Sequence, residues 1–150
     1  MLASGASAGF PLQDVRVIVH DGKTHPVDSK EIAFVTAGRK AFLDAIARAS
    51  PIVLEPIVGI ALAIPETAIG DVSGELAARR GQITGQSSAR AGMAQLSARA
   101  PLAELLDFPS RLKSLTAGQG SYTLTFSHHD VVPPAVQRKL TEAYRPREED

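Results

Sequence analysis

The chain has 150 residues, 44% of them hydrophobic, enough for one ordinary domain or two small ones with a real core. Its 16 Lys and Arg balance 16 Asp and Glu, so no global field draws it to nucleic acid or anionic lipid, and any RNA contact has to be local. The absence of cysteine excludes a disulfide scaffold and Cys-based zinc sites and agrees with a reducing cytoplasm, and no apolar run approaches the roughly 18 residues of a membrane span.

The opening "MLASGASAGF" has small residues like a signal cleavage site, but neither a basic leader nor an apolar stretch, and it reads as a loose start. Leu12 to His20 reads as a strand, with Val15, Val17 and Val19 alternating with Asp14, Arg16 and Ile18. Asp21-Gly22 is a turn signal. Asp28 then suits a helix N-cap, with Glu31 at the capping-box spacing, and helix-forming residues run to Ala49 before Pro51 stops them. Ile32, Val35, Phe42, Ile46 and Ala49 form one apolar face of that helix, and Phe34, Ala37, Ala41 and Ala45 another. So wide an apolar surface predicts a helix covered on two sides and a domain junction near Ser50-Pro51.

Val58, Ile60, Leu62 and Ile64 alternate in the next strand. Pro65-Glu66 opens a helix to about Arg79 with Ile69, Val72 and Leu76 as its buried stripe, and Gly81 suits a left-handed cap. Gly70 and Gly74, four apart, predict close approach of that helix to a sheet. "QITGQ" and "MAQLSARA" are two strands joined by the loop Ser87 to Gly92, with Ala94, Leu96, Ala98 and Ala100 pointing inward. A helix follows with Asp107 as N-cap and Leu112 and Leu115 as anchors, then the strand "SYTLTFSHH" with Tyr122, Leu124 and Phe126 on one face. The order from Glu55 to His129 is β-α-β-β-α-β, the split-βαβ or ferredoxin-like pattern, so the fold class is α+β. A short helix from Pro133 to Tyr144 and the charged tail "RPREED" end the chain.

Few residues suggest chemistry. Gly22-Lys23-Thr24 imitates the end of a phosphate-binding loop, but the motif needs glycine at position 17, where Val17 stands inside the strand pattern. Without a Gly-rich cradle of N–H groups no nucleotide site is expected in this chain. His20, His25, His128 and His129 show no ligand spacing, and His128 and His129 would point to opposite faces of a strand, so no metal is expected. No G-x-S-x-G elbow is present, and no catalytic site is predicted. His25, in "HDGKTHPVDSKE", stands where Asn, Ser or Gly would turn more easily. On these residues alone it is either a tolerated turn residue or a contact group.

The stretches "GFPLQDVRVIVHDGKTHPVDSKEIAF", "AFLDAIARASPIVLEPI", "GDVSGELAARRGQITG", "PLAELLDFPSRLKSLTAGQGSYTLTFSHH" and "VPPAVQ" closely resemble the C-terminal part of bacterial elongation factor G, the translational GTPase of translocation. They cover the chain from Gly9 to about Leu140 in family order. The resemblance implies that residues 1–50 are the later half of the fourth domain, a strand-plus-helix remnant of a ribosomal-protein-S5-like fold, with its tip loop at 22–29. It implies that residues 51–150 are the ferredoxin-like fifth domain with a C-terminal helix and tail. It further implies a ribosome-contacting, cytoplasmic piece that is not itself an enzyme and has no cofactor of its own. GTP and magnesium belong to domains upstream.

By the same resemblance His25 faces the tRNA–mRNA duplex in the decoding centre. Lys23, Thr24, Pro26, Asp28 and Ser29 shape the RNA-contacting loop around it. Imidazole can donate to phosphate or 2′-OH or stack on a base, and Pro26 would stiffen the loop. Arg79, Arg80, Arg90, Arg111 and Lys113 are the local cations available to ribosomal RNA or protein at the large-subunit factor-binding region. Cations near a helix C-terminus are also ordinary macrodipole partners. Thr24-His25-Pro26, where an acidic residue commonly follows the histidine, and Gln119, where a basic residue is usual, look more like the elongation factor G-like paralogues, acting in translocation or recycling. A stand-alone RNA- or protein-binding module of the same fold is the alternative. The strand at 12–20, cut off from most of its sheet, would either pair with a second copy in a dimer or be weakly ordered.

Overall fold

The computed structural model describes residues 8–25 and 30–145. The elements in chain order are α1 (Glu31–Arg48), β1 (Leu54–Pro65), α2 (Ile69–Ala78), β2 (Gln82–Ser88), β3 (Met93–Pro101), α3 (Phe108–Leu115), β4 (Ser121–Val131) and α4 (Pro134–Ala143). Short 3₁₀ turns occupy Glu66–Ala68, Arg90–Gly92 and Leu102–Leu105. They group into two compact units, Leu54–Val131 and, separately, Met1–Val53 with Val132–Asp150.

The Leu54–Val131 unit is the expected ferredoxin-like sheet, with antiparallel strands in the order β2-β3-β1-β4. The alternation read in the sequence decides which face is covered. Val58, Ile60, Leu62 and Ile64 are all buried, and they pair across to Ala100, Ala98, Leu96 and Ala94, buried as well. Branched side chains on β1 thus face mostly alanines on β3, and the space that the alanines leave is taken by helix side chains. Helix α2 contributes Val72 and Leu76, and α3 contributes Phe108 and Leu112; each pair is spaced i, i+4 and buried in the same cluster. Burying each such side chain stabilises the fold by about 1.5–3 kcal/mol before the entropy of ordering is charged against it. Phe108 also meets Tyr122 of β4 edge-on, with ring centroids 5.6 Å apart. Farther along the same face of β4, Leu124 and Phe126 are 39% and 58% exposed, because β4 is an edge strand beyond the helices' cover.

Several local expectations are corrected. The left-handed residue after α2 is Arg80 (φ 60), not Gly81. The Gly81 N–H donates to the Leu76 carbonyl at 2.7 Å and the Arg80 N–H to the Ala77 carbonyl at 3.2 Å, the two bonds of a Schellman motif. Gly81 is required there for a different reason: a Cβ would lie 2.6 Å from the Leu76 carbonyl oxygen. Gly70 and Gly74 make no close approach, since a Cβ on either meets nothing within 4 Å. Strand β2 runs on to Ser88, two residues into the segment read as a loop. Asp107 holds the N-cap position of α3, but its side chain makes no capping bond there.

In the other unit, Leu12–His20 forms no strand: strand geometry needs a hydrogen-bonded neighbour, and none pairs with it among the described residues. Val17, Ile18 and Val19 are 58%, 62% and 85% exposed. Helix α1 forms as expected, but it has no buried residue, so the two-sided cover inferred from its apolar faces is absent among the described residues. Its N-cap is Lys30, without a side-chain capping bond; Asp28, the expected cap, lies outside the described residues. Within this unit Gln137 of α4 clasps the linker, its Oε1 accepting from the Val53 N–H at 3.2 Å and its Nε2 donating to the Pro51 carbonyl at 3.4 Å. The Val132 N–H adds a bond to the Val53 carbonyl at 3.1 Å.

Candidate functional site

Two groups of residues stand out in the sequence, and each has its own geometry. The first is the turn before α1. Asp21 accepts the Gly22 N–H on its Oδ1 at 2.7 Å, an Asx contact that suits the turn chemistry of Asp-Gly. His20, Lys23, Thr24 and His25 are all exposed, as is Lys30 beyond them. Pro26, Asp28 and Ser29 lie outside the described residues. The turn therefore presents an imidazole, a hydroxyl and ammonium groups to solvent.

The second group lies in the sheet unit, and the structure divides its cations. Arg79 is committed inward. Its Nε and Nη2 donate to Glu75 Oε1 at 2.8 and 2.7 Å, its Nη1 to the Glu104 carbonyl at 2.6 Å, and its two terminal nitrogens to the Asp107 carboxylate, Nη2–Oδ2 being 2.9 Å. Its guanidinium carbon also lies 5.9 Å from the Phe108 ring centroid. The hydrogen bonds to Arg79 hold the Asp107 carboxyl down at about 2, and Asp107 in turn holds the Arg79 guanidinium above its ordinary value. This is where the Asp107 side chain is spent, and why it does not cap α3.

Arg80 grips the buried Glu55 of β1 with both terminal nitrogens, Nη1–Oε2 being 3.0 Å. That fork raises the Arg80 guanidinium above its ordinary value. A left-handed arginine costs on the order of 1–2 kcal/mol, against which stand the Schellman hydrogen bonds and the ion pair with Glu55. Arg111 is different again. It reaches Glu75 with Nη2–Oε2 at 3.2 Å and Nε–Oε1 at 3.4 Å while its side chain stays 54% exposed. Glu75 lies below its ordinary range, chiefly through the Arg111 hydrogen bonds and then those of Arg79. Arg90, in the 3₁₀ turn before β3, and Lys113 on α3 are exposed.

The five cations thus form a graded set, from Arg79 and Arg80, locked by carboxylates, through Arg111, to Arg90 and Lys113 on the surface. Sequence reading found the cations and missed their partners Glu55, Glu75, Glu104 and Asp107. Only Glu75–Arg79 left a local signal, the i, i+4 helical spacing. The others join residues 25 to 36 positions apart. Gln119 is exposed in a tight loop after α3, where the buried Thr116 hydroxyl donates to the Leu112 carbonyl and accepts the Gly120 N–H. No cluster of three metal-ligating side chains and no helix long and apolar enough to cross a membrane occurs among the described residues.

Two family models match the chain: "Elongation factor G, domain IV" over residues 1–50, and "Elongation factor G C-terminus" over residues 52–140. The chain belongs to the elongation factor G family. A curated relative, the elongation factor G-like protein of Thermotoga maritima, is 43% identical over 144 residues, which is 96% of this chain and 21% of that protein. A crystal structure of the Thermus thermophilus protein ttk003000868 superimposes with a TM-score of 0.76 at 39% identity, over 94% of this chain and 21% of that one. The chain therefore spans about a fifth of the length of these two relatives. In elongation factor G terms, the exposed turn with His25 lies in the domain IV match, and the graded cations lie in the C-terminal match.

Proposed function

We propose that this chain is the ribosome-contacting portion of a cytoplasmic translational GTPase of the elongation factor G family, serving tRNA–mRNA translocation or ribosome recycling. GTP and magnesium are bound, and GTP is hydrolysed, in domains that this chain does not contain. The chain performs no chemistry of its own and acts as a lever. The observation that carries the reading is the pair of family matches, which run along residues 1–50 and 52–140 and include an exposed histidine turn. His25, flanked by Lys23, Thr24 and Lys30, supplies a donor and a stacking ring to the decoding-centre RNA. The exposed cations of the sheet unit supply contacts to the large subunit. When the chain is alone, the exposed alternation of Val15, Val17 and Val19 offers a strand to a second copy.

The test is His25→Ala in the intact factor, assayed by single-turnover translocation and by splitting of post-termination ribosomes. One of the two rates should fall about tenfold or more while ribosome-independent GTP binding is unchanged. Wild-type rates in both assays would refute the role assigned to the turn.

A further inference from the structure

The Glu75 carboxylate has two arginines, and they are not equivalent. Arg79 binds it with two short hydrogen bonds, is 13% exposed, and also holds Asp107 and the Glu104 carbonyl. Removing it would take a partner from two carboxylates and a carbonyl at once, leaving Glu75 only the longer bonds of Arg111. Arg111 binds with longer bonds of 3.2 and 3.4 Å, and among the described residues its side chain hydrogen-bonds to Glu75 and to no other group. If Arg111 swings away, Glu75 keeps Arg79, and no charge is left buried without a partner. Arg111 helps to hold Glu75 ionised, yet it is the more exposed of the two forks and leaves a paired carboxylate behind when it moves. A planar guanidinium so placed is suited to the oxygens of a phosphodiester. Ser114, three residues on and exposed, shares the face of α3 with Arg111, whereas Ser110 and Lys113, one and two residues away, do not.

Building on the ribosomal reading above, we propose that Arg111 binds a backbone phosphate of ribosomal RNA, and that Glu75 is its positioning residue, holding the guanidinium extended until the phosphate takes its place. Asp107 also attracts Arg111 through its charge, but the hydrogen bonds of its carboxylate go to Arg79.

The experiment is co-sedimentation of the 150-residue chain with 70S ribosomes over a series of potassium chloride concentrations. Each phosphate contact contributes close to one unit to the slope of log K against log salt, so Arg111→Ala should lower that slope by about one. Arg111→Lys should keep the slope but bind more weakly, because the ammonium cannot fork. Glu75→Gln should keep the wild-type slope and bind severalfold more tightly, since the competing carboxylate is gone. Thermal melts of Arg111→Ala close to wild type exclude unfolding as the cause. An unchanged slope in a folded Arg111→Ala chain that still co-sediments would overturn this inference and leave the ribosomal reading standing. A wild-type chain that does not co-sediment even at low salt would overturn both.

Discussion

Helix α1 is at least as apolar in sequence as the sheet unit, yet the two end in opposite states. In Leu54–Val131, alternation on β1 and β3 meets i, i+4 pairs on α2 and α3, and each apolar face finds another, so Ile60, Leu96, Phe108 and Leu112 are almost fully buried. In α1, Ile32, Phe34 and Val35 are 69%, 47% and 57% exposed, and no residue is buried. The difference teaches that periodicity reports which face requires cover and carries no information on whether the cover lies within the same chain. A relative of which this chain spans only 21% has ample sequence elsewhere to provide it.

Paired truncations should separate the two regions. Phe108→Ala should destabilise the sheet unit by about 3–5 kcal/mol, whereas Phe34→Ala on α1 should change stability by less than about 0.5 kcal/mol, both read from urea unfolding of the chain. Equal losses would mean that α1 has a packed partner in solution. A smaller effect is expected at the ion-pair hub. Arg79→Ala should cost about 2 kcal/mol, less than a fully buried pair would, because one of its two carboxylates, Asp107, is mostly exposed. The smallest effect sharpens the account at acid pH. Asp107 titrates near 2 in the fold against 3.8 ordinarily, so between about pH 4 and pH 2 the unfolded chain takes up a proton that the folded chain refuses. Stability is therefore lost as pH falls through that window, and Asp107→Asn should make the loss shallower. Glu75, also held low, keeps part of the slope in that variant.

Much of the sheet unit was legible in advance because its signals are local. Strand alternation at Val58–Ile64 and Ala94–Ala100, and the anchors Val72, Leu76 and Leu112, depend on neighbours a few residues away. What failed depended on distance. The strand expected at Leu12–His20 needs a hydrogen-bonded partner, and an alternating sequence cannot supply one. Gly81 was placed at the right helix end for the wrong reason, because the left-handed position fell to Arg80, whose partner Glu55 is 25 residues back. At the candidate site, the cations Arg79, Arg80 and Arg111 were visible as charges. Which of them are spent inside the fold was not, since Glu55, Asp107 and Glu75 reach them across the tertiary structure. Asp107 suited an N-cap by position alone, and a stronger partner took its carboxylate.

The packed core of this chain resides in Leu54–Val131, while the described segment before it is largely exposed. Amide hydrogen exchange on the whole chain, resolved by residue, tests this most directly. Ile60, Leu62, Leu96 and Ala98 should exchange only through global unfolding, Ile32 to Phe42 of α1 should be orders of magnitude faster, and in the monomer, before any pairing with a second copy, Val15 to His25 should exchange nearly as in an unstructured peptide. Protection at Val15, Val17 and Val19 equal to that of β1, in a chain that is monomeric by light scattering, would contradict it.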